Sequence, residues 1–250
     1  MRAGVIAAVL IIGATVVTGC NTVTTINSPD SIKIEATGKV NTQELSLDGF
    51  DRIEAHHSFD LTVEQGESFA VVVRVDEAVE QYLDVSVKGN ALVLTLDDEN
   101  TYSLSGNMTM DATITLPALV GLELSGASSA HLIGVESEQA FDAKISGASR
   151  VSGDLIAGDA QFDVSGASRV ALKGEATGLD LELSGASDAG LVDLQVEDAT
   201  IVVRGSSSAD VTVLGTLDVE ASGASHITYA AGVDLERVET SGASSVTARS

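Results

Sequence analysis

The chain has 250 residues and a net charge of −24, from 37 acidic and 13 basic side chains. A surface this acidic repels nucleic acid, whose binding requires basic patches, so that class of partner is excluded. The single cysteine excludes an intramolecular disulfide framework. Only 3% of the residues are aromatic and none is Trp, which predicts a core of small aliphatic side chains.

The first 20 residues have the pattern of a bacterial lipoprotein leader. Arg2 supplies a positive start, residues 3–17 form an apolar stretch that is too short for a confident membrane span, and Val17-Thr18-Gly19-Cys20 matches a lipobox. We therefore predict that residues 1–19 are a signal peptide. Acyl chains such as palmitate on Cys20 then anchor the mature chain, which is one unit more negative without Arg2. The alternative is an ordinary signal peptide. Asn21 stands where Asp would indicate inner-membrane retention, which favours the outer membrane.

Residues 20–43 are polar and rich in Thr, Asn and Ser, which predicts a tether between the bilayer and the domain. Ile32, Ile34 and Val40 are nevertheless able to form a short edge strand. The predicted domain, residues 44–250, begins at residues 44–117 with strands outside any repeat. Because terminal units of repeat arrays shield the core from water, this part is predicted to be an irregular cap.

Within this cap, Ala70–Val75 is a continuous apolar-rich strand. Tyr82–Val87 and Leu92–Leu96 surround a Gly89-Asn90 turn, which predicts a hairpin.

From residue 118 to 250 the chain repeats Ser-Gly-Ala-Ser at intervals of 18 to 21 residues, the signature of a repeat architecture. The copies begin at Ser125, Ser146, Ser165, Ser184, Ser222 and Ser241, and a degenerate copy begins at Arg204. Apolar residues alternate with polar ones on both sides of the motif, which predicts strands with one buried face.

A unit of about 19 residues is too short for a propeller blade, and it lacks the Leu and Asn positions of a leucine-rich repeat. One unit is unable to bury its apolar face alone, whereas stacked units cover each other. We therefore predict an all-β fold, a single-stranded parallel β-helix. Each coil is expected to contain a strand, a Gly-Ala corner, a second strand and a return loop. Seven coils, about 4.8 Å apart, make a column about 30 Å long.

The motif predicts a structural role. Gly adopts a corner conformation that other residues resist, Ala is small enough to stack, and the serines are expected to form hydrogen-bonded ladders. The alternative, a nucleophile elbow, requires Gly-x-Ser-x-Gly. Gly126-Ala127-Ser128 continues with Ser129-Ala130, and no copy has the second Gly in register. We predict no catalytic residue and no cofactor.

Charged residues outside the motif are weaker candidates. Asp97–Glu99 is the densest acidic run, and Asp193, Glu197 and Asp198 share one predicted return loop. These carboxylates suit calcium, but the nonapeptide and EF-hand patterns are absent, and the alternative is a hydrated loop.

Basic residues and histidines give two further hypotheses. The basic residues are expected to be cross-coil neighbours, either for an anionic glycan or as balance for nearby acids; they are Lys144, Arg150, Arg169 and Lys173. His56 and His57, adjacent on a predicted strand, face opposite sides and are unable to chelate one ion together, so no metal site is predicted.

Several segments, taken in order, resemble the head GIN domain family. They are Gly49–Ile53, Phe59–Val63 with Gln65-Gly66, Gly89–Leu92, Leu116-Pro117 with Leu119 and Leu122, and the Ser-Gly-Ala-Ser copies. The resemblance covers residues 44–250 and rests on the ordered set. It implies a β-helical, non-enzymatic surface or periplasmic domain, of a kind labelled an auto-transporter adhesin and common in bacterial lipoproteins.

These observations predict a non-enzymatic, lipid-anchored protein of the bacterial cell envelope that acts as a surface binding or adhesion module. The expected partners are the membrane, through Cys20, and a surface polysaccharide or an envelope protein. One alternative is a periplasmic scaffold that docks on a partner or a second copy through an open C-terminal end, which Arg249 is positioned to blunt. Another is a carbohydrate-active enzyme, which the scarcity of aromatic residues disfavours.

Overall fold

The structure is a computed structural model that describes residues 31–97 and 100–249. The first nine strands are β1 (Ile32–Glu35), β2 (Val40–Leu45), β3 (Arg52–Ala55), β4 (Asp60–Gln65), β5 (Ala70–Asp76), β6 (Leu83–Lys88), β7 (Ala91–Leu96), β8 (Tyr102–Ser105) and β9 (Met110–Leu116). The others are β10 (Gly121–Leu124), β11 (Ser129–Glu136), β12 (Phe141–Ile145), β13 (Arg150–Val164), β14 (Arg169–Leu183), β15 (Asp188–Val203), β16 (Ser208–Val213), β17 (Thr216–Ala221), β18 (His226–Ala230), β19 (Asp234–Thr240) and β20 (Ser245–Arg249). One 3-10 helix, Glu80–Tyr82, precedes β6.

Eighteen strands form a hydrogen-bonded sheet that is wound into two walls, named here for side chains described below. The mixed wall has the order β2-β5-β9-β4-β11-β13-β14-β15-β16-β18-β20, and the acidic wall has the order β6-β7-β3-β10-β12-β13-β14-β15-β17-β19. Along each wall, every pairing from β3 or β4 toward the C-terminal end is parallel and joins one coil to the next. The predicted parallel β-helix is confirmed, with about six turns.

The motif corners align along one axis, as predicted. Gly147, Gly166 and Gly185 have φ of 77°, 78° and 79°. A Cβ on Gly166 would lie 2.4 Å from the carbonyl oxygen of Gly147. The N–H of Ala167 donates to that same oxygen at 2.8 Å. Each corner therefore rests on the backbone of the one before it, which leaves no room for a side chain.

The column of corners begins with a residue that sequence reasoning missed. His57 has φ of 71°, and among the described residues it is the only one other than glycine with a positive φ. Its carbonyl oxygen accepts from the N–H of Ala127 at 2.5 Å, as a motif glycine does one coil later. The prediction that His56 and His57 share a strand is wrong, because β3 ends at Ala55 and the two histidines form a corner.

The second serine of the motif is buried in six consecutive copies; these are Ser128, Ser149, Ser168, Ser187, Ser207 and Ser225. The hydroxyl of Ser187 donates to the carbonyl of Ser184 at 2.9 Å, and Ser225 donates likewise to Ser222 at 2.7 Å. Other hydroxyls bond to the backbone of the neighbouring coil: Ser207 Oγ, for example, accepts from the N–H of Ser187 at 3.2 Å. The hydroxyls that have partners thus bond to backbone and not to each other, so the predicted ladder of serine side chains is wrong.

The return segments differ from the predicted loops. In β13, β14 and β15 the strand runs for 15 or 16 residues and passes from the mixed wall into the acidic wall. Bends occur at glycines such as Gly153 and Gly174, whose φ values are 124° and 125°. A Cβ on Gly153 would lie 2.0 Å from the carbonyl oxygen of Leu132. At this bend, as at the motif corner, the glycine therefore packs directly against the backbone of the preceding coil.

The N-terminal end is closed by strands that turn back. β5 is antiparallel to β9, and β2 is antiparallel to β5. β6 and β7 form the predicted hairpin, with Lys88 opposite Ala91 across the Gly89-Asn90 turn. β1 pairs with β8 in a separate parallel ribbon. The part of the predicted tether from residue 32 onward therefore contains two strands, β1 and β2.

The C-terminal coil has no such cover among the described residues. Leu235 and Val238 of β19 are 40% and 43% exposed, whereas their counterparts one coil earlier, Leu217 and Val219, are fully buried. The column therefore ends on a partly exposed apolar layer.

Candidate binding surface

The outward side chains of the acidic wall form three columns along the solenoid. The column nearest the corner contains Glu54, Glu123, Lys144, Asp163, Glu182, Val202, Glu220 and Glu239. The middle column contains Arg52, Gly121, Asp142, Gln161, Asp180, Thr200, Asp218 and Arg237. The outer column contains Asp159, Gly178, Asp198, Thr216 and Asp234. Twelve of these positions are acidic and three are basic, so the wall is strongly negative.

The acids of the middle and outer columns alternate. In the middle column Gln161 and Thr200 separate Asp142, Asp180 and Asp218. The outer column has its acids on the other coils, those of Gln161, Thr200 and Arg237. Like charges directly opposite on neighbouring strands destabilise a sheet, so this arrangement raises charge density with limited repulsion.

These two columns line an open groove of 580 Å³. Thr216 donates from its N–H and its hydroxyl to Asp198 Oδ1, at 2.7 and 2.6 Å. The hydrogen bonds from the hydroxyl and the N–H of Thr216 lower the pKa of Asp198. Near one end of the groove, Arg237 Nε lies 2.9 Å from Asp218 Oδ1.

At the other end, Arg52 reaches past a whole coil. Its Nη2 lies 2.6 Å from Asp142 Oδ2, although Gly121 stands between the two residues in register. A Cβ on Gly121 would lie 2.4 Å from Arg52 Cζ. The bare glycine is therefore what lets the guanidinium cross to the carboxylate.

The groove offers carboxylate, amide and hydroxyl oxygens, all of which accept hydrogen bonds. Such a surface suits a ligand with ammonium or guanidinium groups, or with many hydroxyls. Within residues 31–97 and 100–249 no three His, Cys, Asp or Glu side chains converge as metal ligands.

The acids considered for calcium do not converge. Asp193, Glu197 and Asp198 lie in β15 rather than in a loop, so that part of the prediction is wrong. Asp193 lies beside Lys173, while Asp198 is occupied by Thr216. Asp98 and Glu99 lie outside the described residues.

The four basic residues do not form one patch. Lys144 lies on the acidic wall, whereas Arg150 and Arg169 are cross-coil neighbours on the mixed wall. Arg169 Nε lies 3.3 Å from Asp188, and Lys173 Nζ lies 2.9 Å from Asp154. The hydrogen bond from Lys173 to Asp154 raises the pKa of Lys173. These contacts favour the alternative that the basic groups balance nearby acids.

The mixed wall carries small outward side chains. One column contains Thr62, His131, Ser152, Ala171, Gly190, Asp210, Thr228 and Thr247. This column has Asp210 as its one carboxylate, and the neighbouring column of the same wall mixes acids and bases, since Asp60, Arg150, Arg169 and Asp188 occupy it.

Three histidines contact serines across a coil boundary. The Nδ1 to Oγ distances are 2.7 Å for His56 and Ser125, 3.2 Å for His131 and Ser152, and 2.5 Å for His226 and Ser245. For His131 and His226 the two residues are direct strand neighbours, so the contact follows from register.

Cys20 and the predicted signal peptide lie outside the described residues. In the described part of the chain, no helix has the length and apolar character that crossing a bilayer requires.

Residues 49–232 match the family described as "Putative auto-transporter adhesin, head GIN domain". This chain belongs to the head GIN domain family. Its membership confirms the resemblance seen in the sequence, and it supports a cell-envelope or surface location and an adhesin-type module. No curated protein matches the chain.

Solved structures show the same fold. A putative adhesin from Bacteroides fragilis is 18% identical, with a TM-score of 0.76, over 86% of this chain and 100% of that one. A putative lipid binding protein from Parabacteroides distasonis is 18% identical, with a TM-score of 0.67, over 88% and 100%. A putative adhesin from Parabacteroides merdae is 16% identical, with a TM-score of 0.63, over 87% and 99%. At these identities the likeness concerns the fold alone.

Proposed function

We propose that this head GIN protein is a non-enzymatic adhesion module of the bacterial cell envelope, anchored through lipid on Cys20 at the outer membrane. The family supports the adhesin class, and the Val-Thr-Gly-Cys segment supports the anchor. The observation that carries the binding role is the acidic groove, an open surface on a parallel sheet whose lining includes the carboxylates of Asp142, Asp180 and Asp218.

The outward side chains of this wall do not pack in the core, because inward and outward residues alternate along each strand. Along β14, for example, Asp180 and Glu182 face out while Leu181 and Leu183 are buried. The binding surface therefore tolerates substitution without loss of the solenoid. Its aspartates recur at regular intervals along the axis, which suits a polymer that also repeats. The ligand is a surface polysaccharide that bears amino groups, because the wall repels anionic polymers.

Binding is tested with the full chain on an array of amino-bearing and anionic polysaccharides. The variant Asp142→Asn/Asp180→Asn/Asp218→Asn removes three charges from the groove. Asp60→Asn/Asp188→Asn/Asp210→Asn removes three from the mixed wall and is the matched control. We expect the first variant to lose at least about tenfold in affinity, with the remaining affinity less sensitive to salt, and the control to bind normally.

Equal losses in both variants would contradict a groove-specific role. Binding to an envelope protein instead of any polysaccharide would replace the proposed ligand while keeping the surface.

The anchor is tested separately by Cys20→Ala in cells supplied with labelled palmitate. We expect the label to be absent from the variant and the chain to leave the outer-membrane fraction. Retention of both label and location would contradict lipidation at Cys20.

A further inference from the structure

The last coil presents two strand edges and an apolar layer together. β19 and β20 each pair with only one neighbour, β17 and β18 respectively, so their outer backbone groups face away from the solenoid among the described residues. Leu235 and Val238 are about 40% exposed, and Val233 and Val246 are half-buried at the same end. Such an edge is a template for another strand.

Arg249 does not block this edge. Its Nη2 turns back along the solenoid, 3.1 Å from Thr212 Oγ1 and 3.4 Å from the carbonyl oxygen of Val211. The prediction that Arg249 blunts the end is therefore wrong, and β20 keeps an accessible backbone.

The N-terminal end complements this surface only in part. Of its two edge strands, β6 carries half-buried Leu83, Val85 and Val87, whereas β2 presents Asn41, Thr42 and Glu44 to solvent. Head-to-tail stacking would therefore bury the polar side chains of β2, which is unfavourable.

The charge pattern of β19 complements itself. When β19 lies antiparallel to β19 of a second copy, with the twofold axis at Val238, Arg237 of each copy faces Glu239 of the other. Val238 then meets its own counterpart in the apolar layer. In the same register Glu236 faces Thr240, the last residue of β19, so no acids are directly opposed from residue 236 to residue 240. Opposite charges on facing strands stabilise a sheet, whereas like charges destabilise it.

The other wall offers no repulsion to this arrangement. The outward residues of β20 near its middle are Ser245 and Thr247, which are uncharged. A twofold contact uses the same surface on both copies. It therefore covers the C-terminal end of each copy and leaves no free surface from which a filament could grow.

We infer that the C-terminal coil is a homodimer interface, in which two copies of this chain meet tail to tail through antiparallel pairing of β19 with its counterpart. The dimer contact does not require a ligand in the acidic groove. An experiment that contradicts dimerisation therefore leaves the proposed polysaccharide binding standing, and the reverse also holds.

A first test uses the full chain with Val238→Cys, produced in cells and exposed to a mild oxidant. Directly opposed residues of antiparallel strands have Cα atoms about 4.5 to 5.5 Å apart, within the range that a disulfide spans. We expect a dimer band that disappears on reduction. The unchanged chain controls for Cys20, and Leu214→Cys, at a residue 62% exposed away from the end, controls for random collision.

An equal yield from Leu214→Cys would overturn the inference. So would capture of a different envelope protein by the thiol introduced at position 238.

A second test is independent of any cysteine. Arg237→Glu and Glu239→Arg each create like charges across the twofold axis, so each variant alone should dissociate at least about tenfold more readily than the unchanged chain. Mixed together, they restore opposite charges at every facing pair, and we expect a heterodimer. Two epitope tags and co-purification of the full chains report it. Two single variants that dimerise like the unchanged chain, or a mixture that stays monomeric, would refute this interface.

Discussion

The two ends of the solenoid differ in how far they shield the last apolar layer of the core from water. At the N-terminal end, β5, β6 and β2 run antiparallel to their neighbours and the core ends in fully buried residues such as Leu94. At the C-terminal end of the described residues, β19 pairs with β17 alone and Leu235 is 40% exposed. A repeating unit covers only the unit before it. The comparison teaches that the antiparallel strands of the cap, whose sequence departs from the repeat, bury the apolar layer that the parallel strand β19 leaves partly exposed.

The largest effect should come from the corners, which exist only where coils stack. Gly185→Val forces a β-branched residue to φ of 79° and places its Cβ 2.5 Å from the carbonyl oxygen of Gly166. We expect the free energy of unfolding to fall by at least about 3 kcal/mol, because neither backbone is free to move.

The control for this change lies in the cap. Gly89→Val has a similar positive φ of 67° but nothing within 4 Å of the added Cβ, so only the backbone penalty of about 1–2 kcal/mol applies. Urea unfolding followed by circular dichroism measures both. Similar losses would show that the corner stack adds nothing to the cost.

The next largest effect on stability is expected from a leucine of an interior coil, compared with its counterpart in the last coil. Leu217→Ala removes a fully buried side chain and should cost about 3 kcal/mol. Leu235→Ala, its neighbour one coil later, should cost less than about 1 kcal/mol in the monomer, because that side chain is already partly in water. Unfolding at low and high protein concentration tests the pair. A larger cost for Leu235→Ala at high concentration is expected if the end is covered by a second copy.

A pH effect is expected in the cap. Asp76 is buried and accepts hydrogen bonds from the N–H groups of Ala78, Thr37 and Gly38 and from the Thr37 hydroxyl, at 2.8 to 3.1 Å. These bonds, led by that from Ala78, lower the pKa of Asp76 to about 2 from an ordinary value of 3.8.

Because the folded-state pKa is lower than the unfolded one, Asp76 stabilises the cap above about pH 4, and this stability is lost as the pH falls toward 2. Asp76→Asn should therefore melt at a lower temperature than the unchanged chain at neutral pH, and the two melting temperatures should converge near pH 2. Curves that remain parallel over that range would contradict the role given to Asp76.

The smallest effect separates two equivalent serines. Ser187→Ala removes a hydroxyl that donates to the Ser184 carbonyl and should cost about 1 kcal/mol. The Ser149 hydroxyl is buried and makes no hydrogen bond with any part of the described chain, so Ser149→Ala should be nearly neutral. Thermal melts compare them. If Ser149→Ala were the costlier change, hydrogen bonding would not explain why the motif ends in serine.

Sequence periodicity predicts the part of the fold that is local. Alternation around residues 125–128 and its copies determines which side chains face the core, and the positive φ of the corner glycines follows from their type. The hairpin around Gly89-Asn90 is predicted for the same reason. These features depend on neighbours within one coil.

Register across coils depends on return lengths that vary, and alternation within one strand does not determine it. The corner at His57 lies 69 residues before Gly126 and lacks glycine, although apolar residues alternate on both sides of it, at Ile53 and Ala55 and at Leu61 and Val63. The columns of the acidic wall were missed for the same reason. Asp142 and Asp180 become neighbours of one groove only after two returns of the chain.

The stacked corners also determine how this molecule is able to change size. Along the corner column each coil meets the next through main-chain atoms, so these contacts do not depend on which two copies of the motif are adjacent. Excision or duplication of one complete period leaves the corner contacts chemically the same, while cross-coil side-chain pairs such as Lys173 with Asp154 have to be matched at the new junction. The distance that the domain spans should therefore change in increments of about 4.8 Å, which gives a way to make calibrated rulers of different length from a single sequence.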